Sequence, residues 1–271
     1  DKVTTKRSKG LISNLGWAFG YLGGFLALLI VLLALKIVEG DNESTTLLLS
    51  LIGPFVGFWT FVFGYPHLTS LRNSYFNLPL IKETLSEFKL STLGWFIISY
   101  FFFNNGVICI FAFAGMFASF LFGLSESEIL LMGIFINLSG IFGCLTLGRF
   151  DDGLGSEKCV LLCIITLALL TGGLFFVTNT QLFWFLAILI GFFIGPIQAS
   201  SRSFISKKIK GSNQLSVFSF YSFLGNICSV MGPLLVGLLI NITDSIRLGM
   251  LIIPFFFIIS LMPYIINKKK I

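Results

Sequence analysis

The stretch IGPIQASSRSF, residues 194–204, gathers Gln198, Ser200, Ser201 and Arg202 at the end of an apolar run. A carboxamide in apolar surroundings needs a hydrogen-bond partner. For Gln198 that partner is another helix or a solute crossing a polar cavity, and both readings stand. A guanidinium at mid-bilayer costs about 2.5 to 3.5 kcal/mol on insertion scales. Ending the run near Ser200 therefore places Arg202 among headgroups or at an aqueous opening, where it snorkels, caps carbonyls or pairs with an acid.

A second amide group, Asn104 and Asn105, interrupts SYFFFNNGVICIFAF. Two adjacent amides cannot both be shielded cheaply in lipid, so at least one faces a cavity or another helix, while Gly106 softens the helix beside them. Asn226, in YSFLGNICSVMGP, is a further candidate for a solute path. In LGWAFGYLGG, Gly16, Gly20 and Gly24 recur every fourth residue and let a neighbouring helix approach closely, with Trp17 and Tyr21 flanking that face as path candidates.

The segment GRFDDGLGSEK, residues 148–158, contains Gly148, Asp152, Gly155 and Lys158 in a G-x-x-x-D-x-x-G-x-x-K spacing. The glycines permit a tight turn. An aspartate there accepts hydrogen bonds from the N-terminus of an adjoining helix or pairs with a base, and such bonds must break if that end of the protein opens. Gly148, Asp152, Gly155, Lys158 and Arg202 are therefore candidates for a gate.

Other chemistry has little to work with. The chain contains no HExxH, no GxSxG and no phosphate-binding glycine loop, and its single histidine is His67. No enzyme activity and no cofactor are expected. Cys159 and Cys163 lie one helical turn apart, but no further ligand completes a metal set. They read, with Cys109, Cys144 and Cys228, as small buried hydrophobes.

These groups must be positioned by elements built for lipid. Of 271 residues, 56% are hydrophobic and 11% charged, and 33 are phenylalanine, which excludes a water-soluble surface. A helical span needs about 20 apolar residues. Eight runs qualify, near 14–36, 46–66, 93–123, 129–147, 159–178, 181–199, 214–240 and 246–266. None alternates as a barrel strand would, so the expected fold is an all-α polytopic transmembrane bundle.

The formal charge of +6 does not point to nucleic acid, because the basic residues mark one side of the bilayer. Lys9, Arg72, Lys82, Arg149, Lys158, Arg202, Lys207 and Lys268 fall on that side, whereas Lys36 and Arg247 fall opposite. The positive-inside rule then places both termini of this chain in the cytoplasm. Residues 67–92 form the longest polar interval, with a segment beginning at Pro79 that reads as a surface helix packed on the bundle.

The 148–158 spacing resembles the signature loop of the major facilitator superfamily. In order, LGWAFGYLGG, NNGV, GPIQASSRSF and YSFLGNICSVMGP resemble segments of the branch that includes the autophagy-related vacuolar amino-acid effluxer and its bacterial relatives. The resemblance covers nearly the whole chain and implies the last eight of twelve helices. Residues 1–66 would be a remnant of the N-terminal half, 67–92 the central linker and 93–271 a six-helix bundle. The opening DKVTTKRSKG reads as a cytoplasmic loop of something longer.

The resemblance implies a secondary transporter of a small solute in a bacterial cytoplasmic membrane, amino-acid efflux by alternating access being the activity it suggests. The alternative is a truncated membrane protein without transport of its own, which depends on a missing N-terminal segment or a partner chain. Relatives usually carry an aspartate where Asn105 stands and often a basic residue where Asn226 stands. The paired loss keeps the site neutral and argues against proton coupling through it.

Overall fold

The computed structural model describes residues 8–38, 41–71, 92–209 and 214–268. Within a bilayer every backbone amide and carbonyl must be satisfied inside its own segment, and the apolar runs answer by becoming helices. They are α1 (Lys9–Ile37), α2 (Asn42–Leu71), α3 (Thr92–Phe122), α4 (Glu126–Leu154), α5 (Ser156–Leu174), α6 (Thr180–Lys208), α7 (Gln214–Thr243), α8 (Ile246–Met250), α9 (Ile252–Ser260) and α10 (Met262–Lys268). Among the described residues, eight spans are long and apolar enough to cross a membrane, the last running through α8, α9 and α10 as Ile246–Ile266.

That last run is broken at Leu251 and Leu261. Pro254 and Pro263 follow these breaks, and neither can donate the amide bond that would bind it to the preceding turn. The segment starting at Pro79 lies outside the described residues.

Local chemistry sets the boundaries. Ser125 and Glu128 form a reciprocal capping box at the start of α4, and the Asn179 side chain accepts the amides of Gln181 and Leu182 at the start of α6. Gly155 adopts φ +95°, a left-handed turn that lets α5 leave α4 after a single residue. On the end opposite the basic residues, Arg247 donates from Nη1 to the carbonyls of Phe175 and Val177, both at 2.8 Å, and so closes the end of α5.

Lipid gives helices no hydrophobic reason to associate, so the contacts must come from close fit. The tightest is between α4 and α6. Pro196 lies inside α6, so the Phe192 carbonyl one turn earlier loses its helical donor. That carbonyl faces Gly143 of α4, where a methyl group would overlap it. A Cβ at Gly191 would stand 2.8 Å from the Ile136 carbonyl, and Ser139 donates to the Ile188 carbonyl at 2.7 Å across the same seam.

The α1 helix packs on α4 and α6 through its Asn14, Ala18 and Tyr21 side, which is buried. Among the described residues, a side chain at Gly16 or Gly20 would have nothing within 4 Å, and only Gly24 of the expected stripe meets a neighbour, Asn137. The fit is reversed from that expectation: the Tyr21 ring is the large group, and Gly140 and Gly195 supply the space for it. Helix α2 rests against α1, and none of the apolar window of its span is buried. The main core, around Phe103, Ile164, Leu167, Ile197 and Phe257, lies among α3, α5, α6 and α9.

Replacing Gly143 with Ala is expected to destabilise the bundle by about 1 to 3 kcal/mol, because two backbones would have to separate. Ala at Gly16, which faces open space, should change stability little. Thermal unfolding of the purified protein, followed by tryptophan fluorescence, compares the two.

Candidate functional site

The turn at Gly155 presents the last residues of α4 to the first of α1 and the last of α6. Asp151 is completely buried there. Its Oδ1 accepts from Ser156 at 2.6 Å, from Ser203 at 3.2 Å and from the Lys207 ammonium at 2.7 Å. The same ammonium reaches Asp152 Oδ1 at 3.2 Å and donates to the Ser156 hydroxyl at 2.9 Å. Lys207 lies in the last turn of α6, where the helix dipole also favours a cation.

Asp152 turns outward from this pair toward α1. Its Oδ1 accepts the Gly10 amide at 2.9 Å and its Oδ2 the Leu11 amide at 2.8 Å. The residue at the start of α1, Ser8, makes no side-chain cap, so a carboxylate from α4 fills the role that a local serine or aspartate ordinarily fills. A methyl at Gly10 would overlap both carboxylates, and one at Gly148 would approach Asn14 Cβ to 2.8 Å. Ser13 donates to the Ala199 carbonyl at 2.8 Å and Lys9 to the Ser206 carbonyl at 3.1 Å, which fastens α1 to α6 directly.

The electrostatic balance is local. Two carboxylates meet one ammonium and the N-terminus of α1, which carries roughly half a positive charge. Asp151 Oδ2 and Asn14 Oδ1 are buried acceptors without a hydrogen-bond partner. Three helices converge on this network, and separating their ends breaks charge-assisted hydrogen bonds worth about 1.5 to 3 kcal/mol each.

The opposite half of the bundle contains a cavity of about 370 Å³ lined by Leu28, Ile110, Phe117, Asn137, Thr171 and Ile190 among others. Its walls are overwhelmingly apolar. The Asn137 amide donates to the Gly133 carbonyl at 2.8 Å and the Thr171 hydroxyl to the Leu167 carbonyl at 2.6 Å, so both polar side chains are partly satisfied within their own helices.

The residues named from sequence fall in several places. Gly148, Asp152 and Gly155 belong to the network at the basic end, Lys158 is exposed beside it, and Arg202 is exposed on α6. Asn104 and Asn105 are buried on the seam between α3 and α7. Asn105 donates to the Phe101 carbonyl at 2.7 Å and to the Cys228 sulfur at 3.1 Å. Asn226 is exposed on α7 and Gln198 is half-buried. Trp17 and Tyr21, with ring centroids 6.2 Å apart, are at the α1 interface, and Trp17 Nε1 and the Tyr21 hydroxyl are buried without partners.

None of the six path candidates lines the apolar cavity. Asp151, Ser156, Ser203 and Lys207, which complete the network, were not among the residues singled out from sequence. The only signal for them was the first aspartate of the DD pair, Asp151. Among the described residues, no group of three or more histidine, cysteine or acidic side chains could hold a metal ion.

The family described as "Vacuole effluxer Atg22 like" matches residues 1–270. The chain belongs to that family. It is 22% identical over 272 residues to the uncharacterized MFS-type transporter YxiO of Bacillus subtilis, covering 96% of this chain and 63% of that protein. It is 27% identical to autophagy-related protein 22 of Yarrowia lipolytica, over 87% of this chain and 46% of that protein. For autophagy-related protein 22 of Cryptococcus neoformans the identity is 23%, over 92% and 48% respectively. The chain thus spans about half to two thirds of the length of these curated relatives.

Within this family member the network makes a specific energetic claim. Lys207→Met strands a buried carboxylate and is expected to cost on the order of 3 kcal/mol, whereas Asp151→Asn with Lys207→Met removes both charges and should recover most of that loss. Equilibrium unfolding of the two single variants and the double variant measures the coupling. Additive losses would show that the pair does not interact.

Proposed function

We propose that the protein is a secondary transporter of a small solute that works by alternating access. The observation carrying this reading is the asymmetry of the bundle. The basic end is tied shut by Asp151, Asp152 and Lys207 across α1, α4 and α6, while the cavity of about 370 Å³ lies in the other half. In this reading the basic end is cytoplasmic, following the positive-inside rule, and the network is the latch that must release for the solute to pass.

Amino acids are the solute class implied by the sequence resemblance, and the family description as a vacuole effluxer supports movement of a solute across a membrane. Asn104, Asn105, Gln198 and Asn226 serve as polar groups along the path during states in which the latch is open. Trp17 and Tyr21, with buried polar atoms that have no partner, lie on the moving α1 interface.

A second reading is favoured by the open faces of α1 and α2. Gly16, Gly20, Gly53 and Gly57 have nothing within 4 Å, and no part of the α2 apolar window is buried. Such faces suit a chain that depends on further helices, from its own polypeptide or a partner, for any activity.

Vesicles containing the protein separate the readings. The transporter reading predicts saturable flux of radiolabelled neutral amino acids, lowered about tenfold or more by Asp152→Asn, a loss comparable to one charge-assisted bond pair. Asn105→Ala and Gln198→Ala should lower it as well. Folded protein that gives no flux but co-purifies with another membrane chain would favour the second reading.

A further inference from the structure

Helices α1 and α4 run antiparallel and meet along a ladder whose rungs each contain one glycine. The rungs pair Gly10 with Asp152, Asn14 with Gly148, Tyr21 with Gly140, Gly24 with Asn137 and Leu28 with Gly133. The first rung belongs to the latch, and the far rung belongs to the apolar cavity, which Leu28 and Gly133 line. Tyr21 stands between them. It is eleven residues after Gly10 and seven before Leu28, which is about 16 Å and 10 Å along the helix axis.

A third helix joins the Tyr21 rung. A Cβ at Gly140 would stand 3.2 Å from the Tyr21 ring, and one at Gly195 of α6 would stand 2.7 Å from it, so glycines of two helices clasp the ring. Ile194, next to Gly195, and Ile136, one turn from Gly140, both line the cavity. The ring therefore lies at the inner end of the cavity, on the side of the latch. Beside it α4 and α6 meet backbone to backbone, with the Phe192 carbonyl against Gly143. Tyr21 is only 8% exposed at this level.

The packing of the ring is close, but its polar end is not satisfied. The Tyr21 hydroxyl is buried and has no hydrogen-bond partner among the described residues. The same holds for Trp17 Nε1 and Asn14 Oδ1, and spacings of three and four place these three residues on one side of α1. A buried polar group without a partner weighs against the state that buries it, by about fivefold or more in population. A helix side used only for packing gains nothing from three such groups. A side that alternates between a dry interface and water regains their hydrogen bonds each time it opens.

We propose that Tyr21 is an inner barrier between the cavity and the basic end, in series with the Asp152 latch. Gly140 and Gly195 hold its ring in the slot, and its stranded hydroxyl keeps the ring releasable. When α1 withdraws from α4 and α6, the slot empties and the Tyr21 hydroxyl, Trp17 and Asn14 face the passage that is left. The role in transport rests on the alternating-access reading, whereas the barrier itself is read without a flux assay.

The experiment uses the full chain in sealed vesicles, with Ala187→Cys on the cavity wall as the reporter and a membrane-impermeant maleimide added from the side of the basic end. The chain without the reporter gives the rate for the five native cysteines. With the latch released by Asp152→Asn, the ring still closes the cavity and reporter labelling should be slow. Adding Tyr21→Ala should speed it about tenfold or more, a modest part of what the packing of a buried ring contributes. Adding Tyr21→Phe, which keeps the ring and removes the stranded hydroxyl, should instead slow labelling about fivefold or more below the Asp152→Asn rate, and should raise the unfolding temperature.

A cooperative unfolding transition shows that each variant folds. Where Tyr21→Ala lacks one, Gly195→Ala tests the same slot, because its methyl displaces the ring and should speed labelling in the same way. Equal labelling of Asp152→Asn with and without an emptied slot would overturn the barrier. Faster labelling or a lower unfolding temperature in Tyr21→Phe would overturn the role of the hydroxyl, and that variant changes almost no packing volume. Vesicles that show this labelling pattern without amino-acid flux would keep the barrier and contradict the transporter reading. Flux with labelling that ignores Tyr21 would do the reverse.

Discussion

A buried carboxylate is tolerable only beside a cation and fixed donors, and at the basic end that requirement governs which helices meet. Asp151 cannot stay buried without Lys207, so the end of α6 must reach the end of α4. Lys207 in turn holds Asp152 in place, and Asp152 supplies the cap that the start of α1 lacks. One ammonium thereby ties three helices whose apolar surfaces would gain little from one another in lipid.

The rest of the bundle is consistent with that economy. Where helices must stay together they meet backbone to backbone, as at Gly143 against the carbonyl that Pro196 leaves without a donor. Proline thus does two things in α6: it opens a carbonyl, and it marks the level at which α4 approaches. Further toward the opposite end the seam relaxes into the apolar cavity, whose only polar side chains among the described residues, Asn137 and Thr171, bond within their own helices. A tight polar end and a loose apolar half provide an element with two different costs of opening.

The spans were legible because hydrocarbon thickness sets their length: seven of the eight apolar runs are single helices, and the last is a run of three short ones. The Asp152 position was legible from glycine and aspartate spacing. Asp151 and Lys207 were not, because a basic residue in the last turn of a membrane helix is ordinary and nothing in the sequence says which of them turns inward. The glycines of α1 misled for a related reason. Spacing shows that a face is small but not whether a neighbour uses it, and the space for Tyr21 comes from Gly140 and Gly195 on other helices. Asn104 and Asn105 are buried where α3 meets α7, and the Asn105 amide donates there to the Phe101 carbonyl and the Cys228 sulfur while its Oδ1 is left without a partner.

The Asp152 carboxylate holds the start of α1 against α4. Spin labels at Ile12 and Phe150, exposed positions on those two helices, report the separation directly by pulsed double resonance in nanodiscs. The parent protein should give one narrow distance distribution, and Asp152→Asn should add a longer-distance population as the basic end opens. Identical distributions in the two proteins would show that Asp152 does not hold the two helices together.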